Sequence, residues 1–428
     1  MKYYEVGFDV EKYLSDPDAK PGKPIEYEDI SEEEACATVR EYFTVRYNEC
    51  FRQIDNENLQ GPYIVPGGGH TGLWDWDAFF TSAAMDDDKL KYAKGSICNL
   101  LNHADEDGKP RVLILPERVV RGNCIGKPLQ AQFAYLVAKR LNDFSWVEPY
   151  WDTLENIIKW FDENTMRNGY YVFTSMFASG IDNNPAVYAR TPMGTAGCDQ
   201  VSFLYRELCA MAKLSKILNK GREEYYIDRA KKLREFASER YFDQMDNFFY
   251  SIDVNYDVAV LGGPGHQAIN WVTYLKFRHF SCLFPLWAGI ATKEQAELVK
   301  NKIMDENEFL APCGIRSESK ADPIYNNTPM GDPSNFQGPV WGISTFLTAY
   351  GLLRYGYKDE AYSVAIRLVK QFARDIRQNG CVHEYYHGDT GHPLTRQHYM
   401  SWNILAMRII DDIKNGTDST TYDMLDID

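Results

Sequence analysis

Apolar residues recur at helical spacing along most of the chain, and strand-like alternation is rare. The stretch WDTLENIIKWF places Trp151, Leu154, Ile158 and Phe161 on one face, and YIDRAKKLREF aligns Tyr226, Ala230, Leu233 and Phe236. In DEAYSVAIRLVKQF, Ala361, Ala365, Leu368 and Phe372 follow at intervals of four, three and four, the stripe of a half-buried helix. Ser31 with Glu34, and Thr292 with Gln295, are capping boxes that open helices. Other segments, such as WGISTFLTAYGLL, are apolar almost all round. The pattern predicts helices near 31–53, 86–104, 128–142, 146–166, 199–218, 222–239, 266–279, 281–290, 293–304, 340–355, 358–376 and 399–413. Striped and fully apolar helices together suit an outer ring packed around an inner one. No repeat with a period of 20 to 50 residues is visible, which argues against a solenoid. No linker composition interrupts the chain, so residues 1–428 read as one all-α domain with long loops, 1–30 being an N-terminal extension and 415–428 a C-terminal tail.

The loops hold the unusual composition. GPYIVPGGGHTGLWDWDAFF, FASGIDNNPAVYART, GPGHQAINW, SNFQGPVWG and CVHEYYHGDTGHP are rich in Gly, Pro, Asn, Trp and His. Loops of that length inside a compact domain usually carry function. Aromatic residues make up 14% of the chain, with 29 Tyr and 9 Trp, side chains that line clefts with flat faces and polar tips. A net charge of −15 with no basic run argues against nucleic acid and anionic membrane surfaces as partners, and neither is expected. The N-terminus has no apolar core of a signal peptide, and no stretch of 18 apolar residues occurs. Nine scattered cysteines without a CxxC read as reduced thiols, so the expected compartment is the cytoplasm.

Several chemistries lack their motif. There is no G-x-x-x-x-G-K-[ST], no strand-to-helix G-x-G-x-x-G and no G-x-S-x-G. His383, His387 and His392 surround Asp389, but without HExxH they read as a hydrogen-bonded loop, and no metal or cofactor is expected. Paired carboxylates remain. Glycoside hydrolysis needs one carboxylic acid to protonate the leaving oxygen and one carboxylate to activate water or attack. Apolar surroundings suit the first role, because desolvation disfavours the charged form. Asp182, a lone carboxyl between Ile181 and Phe177 in a Gly-Asn-Pro turn, is the best such candidate. For the second role, Glu384, Glu318, Asp75 and Asp77 all qualify, while WDWD and GPVW resemble walls on which a sugar ring stacks.

In order along the chain, these loops resemble those of the inverting α-glycosidases of glycoside hydrolase families 63 and 37, the latter being the trehalases. PGGGHTGLWDWDAFF is in register with P-G-G-R-F-x-E-x-Y-x-W-D-x-Y, so Trp74, Trp76, Asp77 and Phe79 fall on motif positions. ASGIDNNP resembles E-S-G-[MW]-D-N-S-P, whose Asp is the general acid, and CDQVSFLYREL, with Asp199, resembles the helix that follows. FPLWAGIATKEQAE and NFQGPVW match two further motifs, and HEYYHGDTG resembles the segment whose Glu is the general base. The resemblance spans residues 66 to about 405 and is closest to the short bacterial members of family 63. It implies an (α/α)6 barrel and a metal-independent, inverting exo-α-glycosidase that frees a terminal α-linked glucose or mannose from a small glycoside. Asp182 would be the acid and Glu384 the base, with His70, Trp74, Trp76, Asp77, Phe79, Arg190, Asp199, Gln337, Gly338, Trp341, Tyr385 and Trp402 binding the sugar.

The chain departs from the pattern where Gly69, Ala186 and Gln337 replace motif arginines, and where IGKPLQAQ only faintly echoes S-Q-P-P. Those changes count against trehalose as the substrate, although a trehalase proper is one alternative. A sugar epimerase or isomerase on the same scaffold is the alternative from another class, since a fold does not specify its chemistry. A non-catalytic relative would have lost Asp182 or Glu384.

Overall fold

A computed structural model describes residues 21–123, 125–255, 273–331 and 333–427. It is mostly helical. The helices are α1 (Glu32–Cys50), α2 (Asp75–Ala84), α3 (Leu90–Asn102), α4 (Gln130–Leu141), α5 (Trp151–Asn164), α6 (Cys198–Ile217), α7 (Glu223–Arg240), α8 (Phe284–Ala288), α9 (Lys293–Ile303), α10 (Gly342–Arg354), α11 (Lys358–Asn379) and α12 (Ile409–Asn415). Both expected capping boxes are made, Ser31 with Glu34 and Thr292 with Gln295.

Burial separates two kinds of helix. Every residue of α2 and α8 is buried, as are Gln130–Ala138 of α4, Cys198–Ala212 of α6 and Gly342–Leu352 of α10. The 3-10 segment Ser401–Met407 is buried throughout as well. These segments pack in sequence: α2 on α4, α4 on α6, α6 on α8, α8 on α10, α10 on Ser401–Met407, and that segment back on α2. The striped helices cover them, with α3 on α2 and α4, α7 on α6, and α11 on α10 and α1. A helix surrounded by others must be apolar all round, whereas a covering helix needs only one apolar face.

Three expectations change. Asp75–Ala84, assigned to a loop, is α2, because a helix enclosed on every side has no polar stripe to reveal its period. The expected 266–279 helix lies in part, and GPGHQAINW wholly, outside the described residues, and within 273–279 the chain forms the strand Tyr274–Leu275. The 399–413 helix divides into Ser401–Met407 and α12.

The C-terminal tail crosses the ends of the buried helices. Arg206 of α6 is buried and stacks 3.7 Å from the centroid of the Trp287 ring. It donates to the Thr421 hydroxyl and the Thr420 carbonyl, each at 2.8 Å. Short strands at the other ends tie the long loops together; the pair Val340–Trp341 and Tyr385–Tyr386 matters most for the site.

Candidate active site

The two strands of that pair run antiparallel with Trp341 opposite Tyr385, so the GPVW and HEYY segments form one ladder and Glu384 is held next to it. The Trp341 ring lies between Phe336, at 3.8 Å and 8° between planes, and Tyr385, at 4.5 Å and 30°. Trp74 caps α2, whose first turn carries Trp76 and Asp77. Gly180 has φ +61, a conformation glycine adopts without strain, and turns the chain toward Asp182.

The adjacent Asn183 explains how that turn is held. Its side-chain oxygen accepts from Phe336 N–H at 2.7 Å and its amide donates to Asn335 at 3.1 Å. Gln337 donates to the Asn183 carbonyl at 2.9 Å, and Ser334 N–H donates to Asp182 Oδ2 at 2.8 Å. The loop bearing Asp182 and the loop before Trp341 are thus joined along their length.

These segments enclose a cavity of about 160 Å³. Asp182, Glu384, Asp77, His70, Trp74, Trp76, Trp341 and Trp402 line it, together with Pro66, Gly180, Ser334, Phe336, Arg396 and Tyr399. Asp77 is buried and its Oδ1 accepts from Tyr399 OH at 2.9 Å and Ser401 Oγ at 2.6 Å. Burial pushes its carboxyl up to about 6 despite those bonds. Glu384 is 5% exposed, its N–H donates to the Arg396 carbonyl at 3.0 Å, and Arg396 Nε stands 3.7 Å from Oε2. Arg396 also reaches His70 Nε2 at 2.8 Å. The Trp402 indole N–H is buried and has no hydrogen-bond partner among the described residues. Aromatic faces, a buried carboxylate acceptor and an unsatisfied N–H are what a ring bearing hydroxyls can use.

Residues 70–402 match the model of the mannosylglycerate hydrolase MGH1-like glycoside hydrolase domain. The chain belongs to this family. The cytosolic neutral trehalase of Saccharomyces cerevisiae is 26% identical over 185 residues, 40% of this chain and 24% of that protein. Mannosylglycerate hydrolase MGH1 of Selaginella moellendorffii is 31% identical over 110 residues, 25% of this chain and 20% of that protein. The chain thus aligns with less than two thirds of either relative's length. Among solved structures, the GH63 mannosylglycerate hydrolase of Thermus thermophilus in complex with glucose superposes with a TM-score of 0.66 at 16% identity. That match covers 87% of this chain and 99% of the other.

Within this glycoside hydrolase domain, six residues assigned to the sugar do not line the cavity. Phe79 points away on α2 and packs on Phe80 and Phe133, with centroids at 5.0 and 5.8 Å. Arg190 pairs with Asp253 and bonds Thr195. Gln337 joins loops as described, and Gly338 leaves no room for a side chain against the Asn326 carbonyl. Tyr385 OH accepts from Met330 N–H at 2.9 Å and donates to its carbonyl at 2.6 Å, clamping the loop that leads to Ser334. Asp199 lines a separate space of about 20 Å³ with Lys127. Of the other carboxyls considered for the second role, Glu318 is fully buried away from the cavity, and Asp75 accepts from the N–H groups of Trp76 and Lys127. Asp182 itself is exposed and Phe177 is 57% exposed, so the apolar shell expected around the acid is absent.

Arg396, Tyr399, Phe336 and Ser334 went unrecognised. PLTRQHYM carries no motif, and Tyr399 falls where a helix was expected to begin. Among the described residues no group of His, Cys, Asp and Glu is arranged to hold a metal. In the histidine loop, His383 bonds Asp375 at 2.7 Å and His392 accepts from Ile25 N–H at 3.1 Å. No helix among the described residues is long and apolar enough to cross a membrane.

Asp199 supports a prediction about stability. Burial pushes its carboxyl up to about 6, partly offset by Lys127. A carboxyl raised in the folded state contributes stability below its unfolded value near 4, which is lost as pH rises through about 6. Asp199→Asn removes that loss. Denaturant melts should show the variant gaining about 2 kcal/mol on wild type between pH 4 and pH 7. An unchanged difference would mean that the carboxyl does not titrate in that window.

Proposed function

We propose that this domain is an inverting exo-α-glycosidase, acting in the cytoplasm, that releases a terminal α-linked glucose or mannose from a small glycoside. The observation that carries the reading is the convergence of Asp182 and Glu384, from distant parts of the chain, on one tryptophan-walled cavity. Asp182 donates a proton to the glycosidic oxygen as the bond to the anomeric carbon breaks. Glu384 takes a proton from the water that attacks that carbon from the other face, so an α-glycoside yields a β-sugar. Asp77 accepts from a sugar hydroxyl and Trp402 N–H donates to one, while Trp74, Trp76 and Trp402 provide apolar surface for the ring and Trp341, stacked between Phe336 and Tyr385, presents only its edge. A cavity of about 160 Å³ suits a single ring, being below the roughly 300–1,000 Å³ of sites for drug-sized ligands. That size supports exo rather than endo action.

The scaffold we infer is an (α/α)6 barrel. The closed circuit of six buried helical segments supports it, as does the likeness to a solved family member. Trehalose and mannosylglycerate, named for the relatives' enzymes, belong in the substrate panel.

Anomeric proton NMR during the first turnovers, on α-glucosides and α-mannosides including those two compounds, tests the proposal. The expected outcome is a free hexose that appears first as the β-anomer. A first-formed α-anomer would refute inversion, and isomerisation without release would favour the epimerase reading.

A further inference from the structure

The segment IGKPLQAQ, which departs most from the family pattern, places an ammonium group directly behind the sugar cavity. Lys127 is 6% exposed, and its Nζ lies 3.9 Å from the centroid of the Trp76 ring. It donates to the carbonyl of Ser179. The next residue, Gly180, lines the cavity, and a Cβ there would collide with Lys127 Nζ. Asp182 follows two residues later. Lys127 is also anchored through its backbone, whose N–H donates to Asp75 Oδ2 at 2.8 Å.

A cation this deep must be compensated, and the compensation comes from several elements. The carboxylates whose charges act on it are, in falling order, Asp75 of α2, Asp199 of α6, Asp77 of α2 and Asp182 of the turn itself. Asp182 in turn shares the cavity with Asp77, Glu384, His70 and Arg396 and accepts from Ser334 N–H. Lys127 therefore touches both a wall of the cavity and the turn that carries one of its carboxyls.

We propose that Lys127 is a positioning residue for Asp182, fixing the acid turn through Ser179 and Trp76 and acting on the acid by its charge; this rests on the acid role proposed above. The cation–π contact and the carbonyl bond together fix the distance between Trp76 and the turn. The charge favours the carboxylate form of Asp182 over the protonated one. Removing the charge lets Asp182 keep its proton to higher pH. A side chain that only filled space would have no such effect.

The test compares Lys127→Met with Lys127→Arg across a pH series, on an unactivated α-glycoside and on an α-glycosyl fluoride of the same sugar. For Lys127→Met, kcat/KM on the glycoside should fall roughly tenfold or more as the turn loses its anchor. The basic limb of that profile should move to higher pH, and hydrolysis of the fluoride, which needs little protonation, should fall less. Lys127→Arg, which keeps the charge, should leave the limb where wild type has it. Equal losses on both substrates with the limb unmoved would overturn the proposal and leave Lys127 as packing. If Lys127→Met does not fold, Lys127→Met with Asp199→Asn, which also removes a facing charge, is read by the same criteria. Failure of the acid assignment itself would appear separately, as an Asp182→Asn variant that does not distinguish glycoside from fluoride.

Discussion

Asp182→Asn should lose roughly 10²–10⁴-fold in kcat/KM on an unactivated α-glycoside while hydrolysing the matching α-glycosyl fluoride within a few-fold of wild type. The reason is the leaving group. An alkoxide departs only if it is protonated as it leaves, whereas fluoride departs with little help. Asparagine retains an oxygen that can accept the 2.8 Å bond from Ser334 N–H, and Asn183 continues to join the two loops. The substitution thus removes the proton with little disturbance of the turn. The basic limb of the pH profile should vanish in the variant, since that limb reports the acid losing its proton. Equal damage to both substrates would mean that Asp182 positions the sugar rather than protonating the leaving oxygen.

Glu384→Gln should be the more general lesion, losing roughly 10²–10⁴-fold on glycoside and fluoride alike, because both require an activated water. Glutamine keeps the shape of a side chain that is 5% exposed, but it no longer offers a carboxylate to Arg396, whose Nε lies 3.7 Å away. A small anion such as azide, entering the cavity beside that cation, should restore part of the rate by attacking the anomeric carbon itself. The product would then be a β-glycosyl azide, identifiable by mass and by NMR. If Glu384→Gln stayed within a few-fold of wild type, the base would have to be another carboxyl of the same cavity. Asp77 is the one to test, because Glu318 lies fully buried elsewhere.

How much of this was legible beforehand follows from where each residue's partners lie. The stripes on 151–161 and 361–372, and the capping boxes at Ser31 and Thr292, express contacts within a few residues, so α5, α11, α1 and α9 could be read directly. Asp182, Glu384, Trp76 and Trp341 were legible for a different reason: each stands in a short segment that resembles a motif of the family. By contrast, α2 was hidden because its polar residues, Asp75, Asp77, Thr81 and Ser82, are buried along with its apolar ones and mark no exposed stripe, in a segment that opens on a Gly-rich loop. Arg396 and Tyr399 have no motif and meet Glu384 and Asp77 only because the chain returns past them. Phe79 and Tyr385 stand next to cavity residues in segments that resemble family motifs but do not line the cavity, since position in a motif does not decide which way a side chain points. The sequence by itself determined the helical class, the striped covering helices and the two carboxyls worth testing. The tertiary structure alone decided that these carboxyls share one cavity, that a cation lies behind its wall, and that Asp182 is open to solvent. Those facts depend on contacts between residues far apart in the chain, which local pattern cannot encode.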